Sequence, residues 1–227
     1  MRKFGLIGYP ISGSGSPALF ARAYSGAFQY DLIEDPSFEV CWQRFIEEYD
    51  GINVTAPFKI LAAQKADFLS PECLHTGSTN ILAKTPDGIM AYNSDFLAVR
   101  EIIRSRSITG KVLVIGNGGA GKAAAYAAKS LGLEVAVANR TPAEGLIPLE
   151  EVPSMAPGCG MAIYTLPCLP EVLRGISCPV LLEANYKNPS FAGTPSIAVY
   201  IGGRQWLLEQ ARLGYPLLTG VKTVGLD

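Results

Sequence analysis

The stretch Lys111-Val112-Leu113-Val114-Ile115-Gly116-Asn117-Gly118-Gly119-Ala120-Gly121-Lys122 decides how this chain is read. Lys111–Ile115 is a short β-branched apolar run, the pattern of a buried strand. A glycine-rich turn, Gly116–Gly121, follows it, and Lys122–Leu131 is alanine-rich and reads as a helix. Glu134–Ala138 (EVAVA) is the next strand. Strand, turn, helix and strand form one βαβ unit, which implies a parallel sheet.

In that setting the turn satisfies G-x-G-x-x-G, with the preceding strand and following helix that a dinucleotide fingerprint requires. Gly116 permits the tight turn, Gly118 lets backbone approach a pyrophosphate, and Gly121 lets helix pack closely on strand. Asn117, Gly119 and Ala120 complete the loop, and the helix N-terminus offers N–H groups to phosphates. The same letters also match the glycine and lysine spacing of a P-loop. There the last position needs a hydroxyl for magnesium, and this chain has Ala123. At the end of the second strand a site for NAD usually carries an acidic residue for the ribose 2′-hydroxyl. This chain carries Asn139-Arg140-Thr141. A guanidinium fork suits a 2′-phosphate, so the expected cofactor is NADP.

Outward from this unit, the N-terminal half has its own α/β rhythm. Lys3–Gly8 reads as a buried strand, and Pro17 with Ser16 as a possible N-cap opens a helix over Ala18–Ala27. Tyr30–Ile33 and Gly51–Thr55 read as strands, with Phe38–Tyr49 and Phe58–Phe68 as helices. Asn80–Ala83 and Gly88–Ala91 flank Pro86-Asp87-Gly88 and make a hairpin. Asp95–Arg104 is helical. Past the βαβ unit, Met161–Thr165 and Val180–Glu183 are expected strands and Gln205–Leu213 the last helix. The fold class is α/β with two domains. Residues 1–104 plus 204–227 would form a substrate-binding domain, and 105–203 a Rossmann NADP-binding domain, with the seam at SRSITG.

Composition narrows the function classes. The 227 residues carry a net charge of −1, with 48% hydrophobic and 17% charged residues, and no basic cluster stands out. A nucleic-acid partner, which depends on basic patches that release counterions, is not expected. The five cysteines are odd in number and none forms a CxxC pair, which argues against a disulfide framework or a metal site. The opening MRKFGLIGYP breaks at Gly8 and Pro10 and does not resemble a signal peptide. No apolar run reaches the roughly 18 residues of a membrane helix. The expectation is a cytoplasmic protein, monomeric or homodimeric, with a small-molecule substrate.

Three polar clusters lie near expected strand ends, where open α/β sheets place ligands. They are Ser14/Ser16, Asn53–Lys59, and Asn80 with Asn93-Ser94-Asp95. Singly, each reads equally as a turn or cap. Together they resemble the shikimate dehydrogenase family, through GYPISGSGSPAL, GINVTAPFK, GSTNI, YNSD, GNGGAGKA, ANRT, Tyr186 and GRQWLLEQ in that order. The stretch NVTAPFK is close to the family's N-V-T-x-P-x-K signature.

The resemblance implies a reversible, NADP-dependent reduction of 3-dehydroshikimate to shikimate in aromatic amino-acid (chorismate) biosynthesis. It also implies roles. Lys59 and Asp95 would flank the reacting hydroxyl as the catalytic pair. Ser14 and Ser16 would hold the carboxylate, helped by Tyr186, while Thr55, Asn80 and Gln210 would bind ring hydroxyls. Gly116–Gly121, Asn139, Arg140, Thr141 and Gly203 would bind NADP. The chain departs from the family where Gly13 replaces a usual histidine, where Ile163-Tyr164-Thr165 replaces asparagine-alanine-threonine, and where Trp206 replaces a methionine. It is also shorter than most members. Quinate as substrate, relaxed use of NAD, and a non-catalytic NADP-binding module are the alternatives. His75 is given no role.

Overall fold

The computed structural model describes residues 1–226. In order, its elements are β1 (Lys3–Gly8), α1 (Ser16–Tyr24), β2 (Gln29–Glu34), α2 (Phe38–Glu48), β3 (Gly51–Val54), α3 (Lys59–Lys65), β4 (Phe68–Leu69), α4 (Pro71–Thr76), β5 (Ile81–Thr85) and β6 (Gly88–Tyr92). Then come α5 (Ser94–Ser105), β7 (Lys111–Ile115), α6 (Gly119–Ser130), β8 (Glu134–Asn139), β9 (Ile147–Pro148), α7 (Val152–Met155), β10 (Met161–Tyr164), β11 (Cys178–Glu183), β12 (Ile197–Ile201) and α8 (Gly203–Thr219). Met1–Ser94 with residues 210–226 form one compact unit and Asp95–Glu209 the other. No helix among the described residues is long and apolar enough to cross a membrane.

The first unit is a mixed six-stranded sheet in the order β2-β1-β3-β5-β6-β4. β1 pairs in parallel with β2 and β3, and β5 runs antiparallel to β3 and β6. The strands alternate their side chains between two cores, as a period of two requires. Phe4 and Ile81 join Phe20, Tyr24, Tyr215 and Leu218 on one face. Ile7 and Leu82 join Phe38, Phe45, Ile52 and Phe58 on the other. The Asn80–Ala91 hairpin is present, with Thr85 paired to Gly88.

The second unit is a six-stranded sheet in the order β12-β11-β10-β7-β8-β9, parallel at every pairing. Counted from β7, the order is 6-5-4-1-2-3, that of a Rossmann dinucleotide-binding sheet, with the topological switch between β7 and β10. Val112 and Val114 face one core and Leu113 and Ile115 the other. On α6, Ala123, Ala124, Ala127 and Ala128 are fully buried, so the helix lies close on the sheet through small side chains.

Some boundaries differ from the sequence expectation. α6 starts at Gly119, inside the glycine turn, because a helix whose first residues are glycine and alanine meets no steric objection there. α8 runs to Thr219, through Pro216. Tyr215 and Leu218 are buried on either side of that proline, and this packing outweighs its helix-breaking tendency. β4, α4 and β12 had no clear signal: β4 is two residues long, α4 opens on a proline, and the middle of β12 is largely exposed.

The tyrosines set an alkaline limit on stability. Burial pushes the Tyr30 hydroxyl well above its ordinary range and raises Tyr215 as well, while Tyr49 and Tyr164 are pushed up to about 12. A raised folded pKa means that these groups ionise first in the unfolded chain. The tyrosine contribution is therefore constant below pH ~10 and falls as pH rises from there toward 12, by up to ~1.4 kcal/mol per pH unit for each deeply buried tyrosine. Burial also raises the thiols of Cys41, Cys73, Cys159 and Cys178, which start the loss near their ordinary value of 9.0, so urea unfolding midpoints should drop between pH 9 and 11, less steeply above pH ~10 for Tyr215→Phe. A level profile up to pH 11 would contradict the burial assigned to these hydroxyls.

Candidate active site

In the first unit the site begins where β1 and β3 end side by side, with Ile7 opposite Val54. Their loops meet closely. A Cβ on Gly8 would overlap Thr55 Cγ2 and fall 2.8 Å from Ile11 Cγ2, so only glycine lets the two loops touch. The Thr55 N–H donates to the Ile7 carbonyl at 2.9 Å and the Tyr9 N–H to the Ala56 carbonyl at 3.1 Å. Both loops carry a cis proline, after Tyr9 and after Ala56.

The serine turn is held by the Ser14 N–H bonding to the Ile11 carbonyl at 2.8 Å. Ser14 Oγ donates to Ser16 Oγ at 3.0 Å and accepts the Ser16 N–H at 3.2 Å. Ser16 is thus not the N-cap that the sequence suggests. Gly15 is the cap, Ser16 is the first helical residue, and its hydroxyl serves this cluster instead of the helix end. Both serines are half-buried.

Lys59 opens α3 directly after Phe58, whose buried ring lies 5.5 Å from that of Phe38. The Phe58 N–H bonds to the Thr55 carbonyl at 3.0 Å, and the Lys59 carbonyl accepts the Thr79 N–H at 3.0 Å. The lysine backbone is therefore fixed on both sides while its side chain is only partly buried.

Asn80, buried, stands beside them. Its Oδ1 accepts the Ser94 N–H at 2.7 Å and its Nδ2 donates to Ser94 Oγ at 3.0 Å and Gln210 Oε1 at 3.4 Å. Gly214 leaves room for α8 here, since a Cβ would fall 2.7 Å from Ser94 Cβ. Asn53 Nδ2 donates to the Asn80 carbonyl at 3.3 Å, and the Tyr30 hydroxyl donates to Asn53 Oδ1 at 2.8 Å. A polar chain thus runs Tyr30–Asn53–Asn80 and from Asn80 to Ser94 and Gln210, with Ser14 and Ser16 forming a separate pair. Tyr30, Asn53 and Ser94 are the members not chosen from sequence as site residues. Asn53 and Ser94 lie inside the motif stretches, whereas Tyr30 sits in an ordinary-looking strand.

In the second unit the fingerprint glycines each show a reason. Gly116 has φ of +113°, and a Cβ there would overlap Thr165 Oγ1. A Cβ on Gly121 would collide with the Gly116 carbonyl oxygen. Gly118 faces open space, with nothing within 4 Å of its Cβ position, which is the surface a pyrophosphate needs. The Asn117 N–H donates to Asn139 Oδ1 at 3.3 Å, and Asn139 Nδ2 donates to the Thr141 carbonyl at 3.3 Å. This asparagine ties the end of β8 to the glycine turn and leaves Arg140 and Thr141 exposed beside it. Ala123, at the hydroxyl position of a P-loop, is fully buried, so the turn lacks a magnesium ligand there.

Beyond β11, Ala184, Asn185, Tyr186, Lys187 and Asn188 line a pocket of about 190 Å³ together with Pro167. Gly203 packs against this loop, its Cβ position 2.6 Å from the Ala184 carbonyl oxygen. The fully buried carboxylate of Glu183 anchors the loop by accepting the Ser190 N–H at 2.6 Å, the Phe191 N–H at 3.2 Å and the Tyr200 hydroxyl at 2.8 Å. Asp95, in the first turn of α5, is buried and accepts the indole N–H of Trp206 at 3.2 Å. The expected site residues thus fall into two sets. Ser14, Ser16, Thr55, Lys59, Asn80 and Gln210 lie in the first unit, and Asp95, Gly116–Gly121, Asn139–Thr141, Tyr186 and Gly203 in the second.

Fold and glycine turn define a dinucleotide-binding Rossmann protein with an added α/β unit. Residues 6–82 match the family model of the shikimate dehydrogenase substrate binding domain. The NADP(+) shikimate dehydrogenase of Thermus thermophilus is 34% identical over 158 residues, 66% of this chain and 60% of that protein. That of Archaeoglobus fulgidus is 35% identical over 64% of this chain and 55% of its own. The matched region thus spans about 60% or less of the length of these relatives. In structure, the Thermus thermophilus enzyme solved with NADP(H) and shikimate has a TM-score of 0.83 at 26% identity, covering 100% of this chain and 97% of its own. The Mycobacterium tuberculosis shikimate dehydrogenase has a TM-score of 0.81 at 28% identity, covering 98% and 95%. The chain is thus similar to the shikimate dehydrogenases, by family model over residues 6–82 and in fold over its length.

The glycines separate folding from ligand approach. Gly121→Ala should destabilise the protein by about 1–3 kcal/mol through overpacking and also weaken dinucleotide binding. Gly118→Ala should change stability by less than about 1 kcal/mol, as an alanine at a helix cap, yet still weaken binding. Thermal unfolding together with NADPH fluorescence titration reads both. Undiminished NADPH affinity in Gly118→Ala would place the pyrophosphate elsewhere.

Proposed function

We propose that the chain is an NADP-dependent shikimate dehydrogenase that reduces 3-dehydroshikimate reversibly to shikimate, a step of aromatic amino-acid biosynthesis. One observation carries the reading: the loops after β1 and β3, which carry Ser14/Ser16 and Thr55–Lys59, are hydrogen-bonded to each other at the strand ends, and Asn80 with Gln210 joins them through Asn53 and Val54. A carboxylate binder, a cation and amide groups for hydroxyls are thereby gathered in one unit. These are the chemical features of a hydroxylated ring acid.

Each side chain then has work suited to its type. The Ser14 and Ser16 hydroxyls, with Tyr186, take the substrate carboxylate. Thr55, Asn80 and Gln210 take the ring hydroxyls; Asn80 Nδ2 and Gln210 Oε1 are 3.4 Å apart, a weak bond that a hydroxyl can replace. An analogue without that hydroxyl would forgo this exchange and leave only the weak amide pair in place.

The dinucleotide fits the second unit through the open face at Gly118 and the N–H groups at the start of α6. Arg140 and Thr141, exposed beside Asn139, would take a 2′-phosphate. NADPH supplies the hydride when bound. As the substrate carbonyl becomes an alkoxide, the Lys59 ammonium stabilises the charge and donates the proton, and the hydroxyl so formed donates a hydrogen bond to the Asp95 carboxylate. In the reverse direction the pair receives that proton.

A spectrophotometric comparison of shikimate and quinate, each with NADP+ and NAD+, tests the reading. Shikimate with NADP+ should give the highest kcat/KM, and Lys59→Ala and Asp95→Asn should each lower kcat about 10²–10⁴-fold. Preference for quinate would change the substrate. Tight NADPH binding without turnover on either acid would make the chain a binding module, and undiminished turnover in Lys59→Ala would remove that residue from the mechanism.

A further inference from the structure

We propose that Trp206 is a positioning residue for the reaction, its indole N–H fixing the carboxylate of Asp95 in the orientation the substrate hydroxyl meets. The inference rests on the catalytic reading of Asp95 given above. Three observations support it. Trp206 is 3% exposed and Asp95 6%, so neither polar group can turn to water. An indole offers one donor and no acceptor, and when buried it must find a partner; here that partner is Asp95 Oδ1 at 3.2 Å. The ring itself cannot drift, because it is packed in the core with Phe96, Leu182 and Ile201.

Asp95 lies in the first turn of α5, and an aspartate there has two short-range alternatives. Its carboxylate can fold back onto the free N–H groups of its own helix, as Ser, Asp and Asn commonly do, or reach outward. A donor held rigidly on α8 selects one orientation. A methionine at position 206 would be smaller and could not donate this hydrogen bond.

A hydrogen bond to a charged group corresponds to a factor of about 10–100 in an equilibrium or rate. Trp206→Phe, which keeps an aromatic ring and removes the N–H, is expected to lower kcat about 10-fold. KM for shikimate should change less than about 3-fold, since an orientation that matters in the transition state acts on kcat. The decisive comparison is a double-mutant cycle. In an Asp95→Asn background, Trp206→Phe should cost little more, because the partner it orients is already disabled. A purely structural role for the indole would give the same loss in both backgrounds.

A second readout leaves Trp206 in place and needs no activity. The chain has two tryptophans, so in Trp42→Phe the one remaining indole N–H resonance in a proton–nitrogen NMR spectrum belongs to Trp206. It should exchange slowly with solvent and move upfield when Asp95→Ala is added. Trp206→Met serves as the second activity variant should Trp206→Phe fold poorly.

The outcomes separate the two claims. If Asp95→Asn keeps full turnover, the catalytic reading of Asp95 fails, and the positioning role falls with it, whatever the NMR shows. If Asp95→Asn is slow but the Trp206→Phe loss is additive, or the indole resonance ignores Asp95→Ala, the positioning role fails and the reading of Asp95 stands.

Discussion

Backbone must come unusually close to backbone and side chain at the carboxyl ends of the parallel strands, and the rest of the structure depends on that approach. Gly8 lets the loops after β1 and β3 touch. Gly116 turns the chain away from β7 with a φ that side-chain-bearing residues avoid, and Gly121 lies against its carbonyl. Gly203 does the same against Ala184. Where the Cβ is absent, loops from neighbouring strands share one small surface, and polar groups from distant parts of the sequence become neighbours. The penalty of glycine is entropic, up to ~1 kcal/mol in a regular element, and it is least in turns such as these.

The same crowding creates a desolvation problem that the polar chain resolves. Asn80 is nearly inaccessible, and a buried amide without partners costs on the order of 1–3 kcal/mol. Its oxygen is satisfied by Ser94 and its nitrogen by Ser94 and Gln210, while its carbonyl accepts from Asn53, which in turn accepts from Tyr30. The helix α5 gains a cap from this, since the Ser94 N–H at its start is one of the donors a helix leaves unpaired. One asparagine thus caps the helix and is the same group proposed to meet a ring hydroxyl. Under that proposal the group is rigid before any ligand arrives, which lowers the ordering cost of binding.

How much of this the sequence displays depends on the range of the interaction. The βαβ unit is local: its strands, turn and helix are contiguous, and composition alone marks them. The serine turn and NVTAPFK are likewise contiguous, so Ser14, Ser16, Thr55 and Lys59 could be named before their geometry was known. Tyr30 could not, because its function comes from Asn53 on a strand that pairs with β1, not with its own. Glu183 reads as the polar end of a strand, and only the fold shows it fully buried beneath three donors. Ser16 was legible as a polar residue at a helix start, but the cap pattern predicted the wrong partner. Its hydroxyl had two short-range choices, and Ser14, two residues away, won over the helix N–H groups.

Trp206 shows the same limit from the side of chemistry. In sequence it is a large apolar residue in an amphipathic helix, and core packing explains it fully. Its donor acquires meaning only through Asp95, 111 positions earlier in the chain. A carboxylate buried to this degree would be costly unless donors surround it, and an indole can donate without adding a charge of its own. A lysine or arginine in the same place would also pair with Asp95, but it would bring a second buried charge with its own desolvation cost. It would also neutralise the group proposed to meet a hydroxyl. A neutral donor on a rigid ring fixes direction while leaving the carboxylate's charge available. That combination suits a residue whose partner must respond to an oxygen gaining and losing a proton.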